Sequence, residues 1–289
     1  MFFRFYKNFY VFYMYMLSIT KGRPVAIVKG GRHHNTIINI DTDTDLRDKN
    51  EISEYDYYDM MDKDMSIDEL AKNNNNIHKE VYIYDDGKIE PLPDFNNTQR
   101  IYISGPTGSG KSYYIRKWLQ QYLKVYPKRK IYLFSDMLED PALDDFKTLI
   151  RFHIDDNLIK KKPIRPEKFK NSIVIFDDID SIQNPKVYKA VLSLQNAILK
   201  TGRKLGITCI VTNHLMNNGI KTKEIYNECS IIVFPTRGSN YYALNYALKK
   251  YLGMDSKQVK HISKLPTRMC TVFKDYPQFV LYEKGIYLL

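Results

Sequence analysis

The stretch that most constrains this chain is Gly105-Pro106-Thr107-Gly108-Ser109-Gly110-Lys111-Ser112, which follows the apolar run Ile101-Tyr102-Ile103. It fits G-x-x-x-x-G-K-[ST], the phosphate-binding P-loop. The chemistry explains the residue types. Gly105, Gly108 and Gly110 let backbone N–H groups wrap an anion where a Cβ would clash, and the helix behind them offers its positive end. Lys111 is placed to reach the β- and γ-phosphates of ATP and Ser112 to hold Mg²⁺. Pro106, Thr107, Ser109 and Tyr113 complete the expected cradle. The setting is the required one: Arg100 to Ser104 reads as a buried strand, and Ser112 to Tyr126 puts Tyr114, Ile115, Trp118, Leu119, Tyr122 and Leu123 on one helical face.

A second pattern lies about sixty-five residues downstream. Ile173-Val174-Ile175-Phe176-Asp177-Asp178 is four large apolar residues ending in two acids. A strand buried on both faces of a parallel sheet looks like this, and its C-terminal end is where α/β proteins bind ligands. This is the Walker B pattern, with Asp177 expected to support the Mg²⁺ shell and Asp178 to orient or deprotonate an attacking water. After an amphipathic segment from Lys186 to Leu199, residues 202–214 read as another buried strand with a polar end, where Asn213 is expected beside the two acids. Asn213 also has the plainer reading of a strand-end turn residue.

The order P-loop, four apolar residues and Asp-Asp, then Gly202-Arg203-x-x-Gly206-Ile207 and a strand ending Thr212-Asn213-His214, resembles the FtsK/HerA-type motor ATPases. Among these it is most similar to the poxvirus-like genome-packaging ATPases of large DNA viruses. The resemblance spans roughly Arg100 to Phe234. It implies ATP hydrolysis by a homo-oligomeric ring that pumps double-stranded DNA, with a capsid as a further partner and the host cytoplasm, the viral assembly site or the virion as location. Position by position it implies Lys111 and Ser112 as the P-loop pair, Asp177 as the Mg²⁺ aspartate, Asp178 as the catalytic acid and Asn213 as the polar sensor. It also implies an arginine that completes a neighbour's site, for which Arg203 is the candidate and Arg237 the rival. Family members often carry Glu and Gln where this chain has Asp178 and Asn213, each one methylene shorter.

The fold class expected is α/β: a P-loop core with a mainly parallel sheet flanked by helices, plus N- and C-terminal β-hairpins. Four regions follow from composition. Residues 1–19 are a leader dense in Phe, Tyr and Met, whose uncharged part is too short to span a bilayer. Met14 or Met16 is an alternative start. Residues 20–40 read as a hairpin, with His33 and His34 in its turn as solvated loop residues. Residues 41–76 form an acidic linker, since 41–69 alone holds about a dozen acids against three bases. Residues 77–289 are the ATPase domain, closing in a hairpin over Met269 to Phe273 and Phe279 to Tyr282.

The net charge of +11 leaves a basic body that suits a polyanion such as DNA, or reflects the Lys- and Asn-rich drift of an AT-rich genome. Cys209, Cys229 and Cys270 lack metal or redox spacing and read as buried thiols of a reducing compartment, and no segment marks the chain as secreted or membrane-spanning. Two other functions share the P-loop: a nucleoside or small-molecule kinase, and a nucleotide-gated assembly or docking protein with little turnover.

Overall fold

The computed structural model describes residues 16–41, 80–83, 86–160, 164–237 and 240–289. Most of the leader and nearly all of the acidic linker lie outside them. The strands in chain order are β1 (Met16–Ser18), β2 (Arg23–Lys29), β3 (Ile37–Asp41), β4 (Glu80–Tyr82), β5 (Lys88–Pro91), β6 (Arg100–Ser104) and β7 (Ile131–Ser135). There follow β8 (Leu149–His153), β9 (Ile173–Asp177), β10 (Thr208–Asn213), β11 (Ile231–Phe234), β12 (Cys270–Phe273), β13 (Phe279–Tyr282) and β14 (Gly285–Leu288). The helices are α1 (Lys111–Val125), α2 (Asp156–Lys160), α3 (Pro185–Thr201), α4 (Ile220–Glu228), α5 (Tyr241–Leu252) and α6 (Ser256–Ser263).

A ten-stranded sheet runs β4-β14-β13-β12-β11-β6-β10-β9-β7-β8. From β11 to β8 every pairing is parallel, and from β11 back to β4 every pairing is antiparallel. The parallel half explains the composition of its strands. Crossover helices cover both faces, so β9 runs through four consecutive apolar residues and β10 is buried at every position rather than alternating. Val187 and Val191 of α3, Tyr226 of α4, Leu248 of α5 and Ile262 of α6 pack on one face with Tyr102, Val174, Phe176 and Val211. On the other face Ile115, Trp118 and Leu119 of α1 pack with Ile101, Ile103, Ile175 and Ile210.

The end segments differ from the simple hairpins expected. The closing strands form a three-stranded meander, because Gly285–Leu288 adds β14 to the pair expected, and the meander continues the main sheet. At the start, β2 and β3 do pair antiparallel. They sit in a separate four-stranded sheet, β1-β3-β2-β5, in which the last residues of the leader form one edge and the segment before the P-loop the other. Leu17, Val25, Ala26, Val28, Ile38 and Ile40 join the α1-side core, so this small sheet covers apolar surface that α1 leaves bare. All three cysteines are free and buried, and burial pushes each thiol up, Cys229 to about 12. No helix among the described residues is long and apolar enough to cross a membrane.

Candidate functional site

The site forms where β6, β10 and β9 end side by side. Strand β10 lies between the other two, paired with β6 through Asn213 and Ser104 and with β9 through Val211 and Phe176. The Gly105 amide donates to the Asn213 carbonyl at 3.0 Å, which ties the start of the loop to the end of β10. Gly105 sits at φ 154, and a Cβ there would lie 2.6 Å from the Ser109 hydroxyl and 3.1 Å from Pro235. Only glycine lets the loop fold over itself this tightly. Gly108 and Gly110 also have positive φ. Gly110 begins α1 with no side-chain cap, so the first amides of the helix face the loop interior without a protein acceptor supplied by a cap.

Lys111 is buried and lies inside the loop. Its Nζ donates to the Gly105 carbonyl at 2.8 Å and pairs with Asp178 Oδ2 at 3.2 Å. The same Asp178 oxygen lies 3.3 Å from His214 Nε2. Asp178 is itself in the left-handed region, φ 45, which turns the chain sharply out of β9. Asp177 accepts from Ser135 Oγ at 3.0 Å and from Thr212 Oγ1 at 2.9 Å. Burial, then the charge of Asp178, raises the Asp177 pKa against those hydrogen bonds. Asp180 is raised for the same two reasons, in the same order.

Thr212 joins the acids. Its hydroxyl accepts from the Asp178 amide at 2.8 Å and is 2.9 Å from Asp177 Oδ1 and 3.0 Å from Asp178 Oδ1. One hydroxyl proton thus serves two carboxylates. Asn213, one residue on, projects to the other face of the sheet. Its Nδ2 lies 3.5 Å from the Tyr102 hydroxyl on β6, while its Oδ1 is buried without a hydrogen-bond partner. Ser109 Oγ is likewise buried and unpartnered. Each such atom costs about 1–3 kcal/mol unless something supplies a partner, and two of them lie at the loop and the end of β10.

Lys111, Asp177, Asp178 and Asn213 are therefore brought to one edge of the sheet, with Ser112 in the first turn of α1. Tyr113 points to solvent on the surface of α1. Arg203 is not part of this cluster. It is exposed on a turn over Gly202–Leu205, before β10 begins, and so lies at the opposite edge of the sheet from Asn213. That turn needs glycine at Gly206, whose φ is 67 and whose Cβ would lie 2.4 Å from Asn171 Oδ1. Arg237 lies beside the loop, with Pro106, Gly108 and Arg268.

Sequence reasoning missed Thr212, Ser135, His214 and Arg268. Arg268 Nε donates to the Ser109 carbonyl at 3.0 Å and Nη2 to the Gly108 carbonyl. Thr212 and His214 flank Asn213 within the strand-end motif and were within reach of the pattern. Arg268 stands about 160 residues from the loop in a segment without periodicity, so nothing local announced it.

The donor set fits Mg²⁺ and a nucleotide triphosphate. The glycine cradle, the uncapped helix start, a hydroxyl at Ser112 and a carboxylate at Asp177 are hard-oxygen and anion-binding groups with no soft ligand among them. Fold and site together are those of a P-loop NTPase. The chain belongs to the same family as the uncharacterized protein V3 of Sputnik virophage. It is 37% identical to V3 over 210 residues, covering 72% of this chain and 84% of V3. No family model matches it. Among solved structures, the genome packaging NTPase B204 of Sulfolobus turreted icosahedral virus 2 in complex with AMPPCP is 15% identical, with a TM-score of 0.44 over 65% of this chain and 97% of B204. The pCW3 conjugation coupling protein TcpA is 13% identical, with a TM-score of 0.43 over 92% of this chain and 77% of TcpA.

Proposed function

We propose that this protein is an ATP-hydrolysing motor that translocates double-stranded DNA during assembly of a viral particle. The observation that carries the reading is the convergence of Lys111, Asp177, Asp178 and Asn213 on one sheet edge beside the glycine loop. Ser112 and Asp177 would hold Mg²⁺, whose positive charge would offset that of the phosphates when it is bound. Lys111 leaves its contact with Asp178 to meet the phosphates, which frees that carboxylate to take a water proton. Thr212 keeps Asp177 and Asp178 at fixed separation, and Asn213 offers an amide to the terminal phosphate or to the water. Cost decides between ion pair and ligand: a largely buried pair gains little over its desolvation, so the Lys111–Asp178 contact exchanges readily for a triphosphate.

A ring is supported by charge placement. The basic side chains Lys128, Arg129, Lys168, Lys200, Arg203 and Lys204 precede β7, β9 and β10, at one edge of the parallel half. Asp136, Glu139, Asp140, Asp155, Asp156 and Asp180 follow β7, β8 and β9 at the other. Copies joined basic edge to acidic edge would make a head-to-tail contact, the kind that forms a ring when the rotation between copies closes. In such a contact Arg203 of one copy faces the P-loop edge of the next, the only way it serves as the completing arginine. The net charge of +11 suits a DNA track, the virophage relative suits a viral assembly site, and a capsid is the partner a packaging motor requires.

The test is steady-state ATP hydrolysis with and without long double-stranded DNA. Hydrolysis is expected to rise with DNA, to fall back as salt removes phosphate contacts, and to vanish in Lys111→Ala. Turnover that depends on Lys111 but ignores DNA would sink the translocation reading. It would favour the kinase if phosphate passes to an acceptor other than water, and the nucleotide-gated docking protein if hydrolysis is merely slow.

A further inference from the structure

The two helical faces of the parallel half treat their cations differently. On the α1 side Arg116 pairs with Asp145 at 2.8 Å and Lys117 with Glu90 at 3.4 Å, while Lys124 donates to Gln121 at 3.0 Å. On the other side α3, α4 and α5 each turn two lysines to solvent: Lys186 and Lys189, Lys221 and Lys223, Lys249 and Lys250. None of these makes an ion pair with a described residue. Helices α3 and α5 hold no acid at all, and the acids of α4, Glu224 and Glu228, are taken by Lys200 at 3.5 Å and Arg100 at 3.4 Å. A lysine-rich genome spreads lysines over every surface but does not strip acids from one of them. A face with cations and no free acids is what a polyanion requires.

The three helices form one layer. Lys221 of α4 lies over the Tyr188 ring of α3 at 4.9 Å, and Tyr226 of α4 stacks on Tyr251 of α5 at 4.5 Å. At the usual spacing of about 8–10 Å between helix axes, the layer is about 20–30 Å wide, a span over which a duplex carries on the order of a dozen phosphates. The side chains also narrow the partner. None of the three helices carries an arginine, the residue that reads guanine with a bidentate fork, whereas lysine meets phosphate as a point charge. Their exposed large apolar side chains are Tyr241, Tyr242 and Tyr246, with no exposed Leu, Ile, Phe or Trp among the described ones to enter a bilayer. The layer is tied to the site as well. Residues 214–219 join β10 to α4, and the Tyr102 hydroxyl, which lies against Asn213, donates to the Leu215 carbonyl at 2.8 Å. The Tyr226 hydroxyl donates to the Met216 carbonyl at 2.8 Å. Asn213 and the start of α4, where Lys221 stands, thus share one short hydrogen-bonded link.

We propose that the outward face of α3, α4 and α5 is the surface that contacts double-stranded DNA, through its phosphates and without reading base sequence. The proposal rests on the translocation reading above and assigns the DNA a place on the molecule.

The experiment is equilibrium binding of the full chain to labelled AT-rich and GC-rich duplexes over a range of salt, by fluorescence anisotropy. The wild type is expected to bind the two within about threefold of each other. Lys221→Ala, Lys223→Ala, Lys249→Ala and Lys250→Ala combined should weaken both alike by about tenfold or more, and lower the slope of log affinity against log salt by about three to four. Arginine at the same four positions keeps the charge and should bind as the wild type does. Lys117→Ala with Lys124→Ala, on the α1 side, should leave the slope within about one of the wild type. A combined alanine variant that binds within about threefold of the wild type, or a wild-type preference for one duplex above about a hundredfold, overturns the proposal. So does binding to phosphatidylserine vesicles in place of DNA. If DNA binds through these lysines yet leaves ATP hydrolysis unchanged, the translocation reading fails and the surface stands. If DNA stimulates the alanine variant as it does the wild type, the surface fails and the translocation reading stands. Thermal melts of each variant exclude unfolding as the cause.

Discussion

The two halves of the ten-stranded sheet are built from similarly apolar strands, yet only one ends in chemistry. In the parallel half the strands point the same way, so the ends of β6, β9 and β10 deliver Lys111, Asp177, Asp178, Thr212 and Asn213 to one edge. In the antiparallel half consecutive ends alternate between edges and no such cluster can gather. Its strands β12 and β13 are buried at every position and serve packing, with Phe273 and Phe279 stacked at 4.1 Å between ring centres. The halves are joined by the β11–β12 pairing, and Arg268, just before β12, reaches back to grip the P-loop. Direction of pairing, more than composition, decides which part of a sheet can host a site.

The sharpest break of this comparison is a pair of substitutions, one in each half. Asp178→Asn should lower the rate of ATP hydrolysis by about 10²-fold or more, the usual loss on removing a general base, while nucleotide still binds. Phe279→Ala should do the reverse. Phe279 is fully buried, so the truncation should cost about 3–5 kcal/mol of stability in denaturant melts. The rate per folded molecule should stay near that of the wild type. A Phe279→Ala protein that is folded but catalytically dead would show that the antiparallel half does more for the site than support it.

The same contrast explains what could be read in the sequence. The parallel half was legible because its strands are continuous apolar runs and its site residues stand in two compact motifs, Gly105 to Ser112 and Asp177-Asp178. Strand β8 escaped notice because Leu149-Ile150-Arg151-Phe152-His153 mixes charge into a half-buried edge. Strands β5 and β14, of four residues each, are too short to show a period and owe their form to the strands beside them. At the site, the acids were visible, but the hydroxyl that joins them was not. Thr212 in a buried strand reads as an ordinary β-branched residue, and only the pairing of β10 with β9 reveals its task. Arg203 is a different case, since its motif was plain but a single chain places it across the sheet from the loop.

That hydroxyl offers the next test. Thr212→Val keeps the shape and removes the donor to Asp177 and Asp178 together with the acceptor for the Asp178 amide. The loss should be about 1–3 kcal/mol in stability, with a fall in the hydrolysis rate that exceeds any change in nucleotide affinity. Equal losses in affinity and rate would show that Thr212 shapes the resting site and has no separate hold on the acids during turnover.

The smallest expected effect concerns Asp180, whose pKa is raised by burial first and by the charge of Asp178 second. One of its oxygens, Oδ1, is buried and unpartnered, while Oδ2 accepts from the His214 amide at 3.3 Å. A carboxyl whose folded pKa exceeds its unfolded value holds its proton longer when folded. Its favourable contribution is complete below the unfolded pKa, about 3.9, and is lost as pH rises through the raised folded value. Asparagine cannot ionise and keeps an acceptor for the His214 amide. Asp180→Asn should therefore match the wild type near about pH 4 and melt about 1–3 °C higher at neutral pH. The gain should shrink when Asp178→Asn is present as well, because the second cause of the shift is then removed. A gain of equal size at both pH values would mean that the substitution acts through packing, and that charge crowding at the ends of the parallel strands carries no measurable cost.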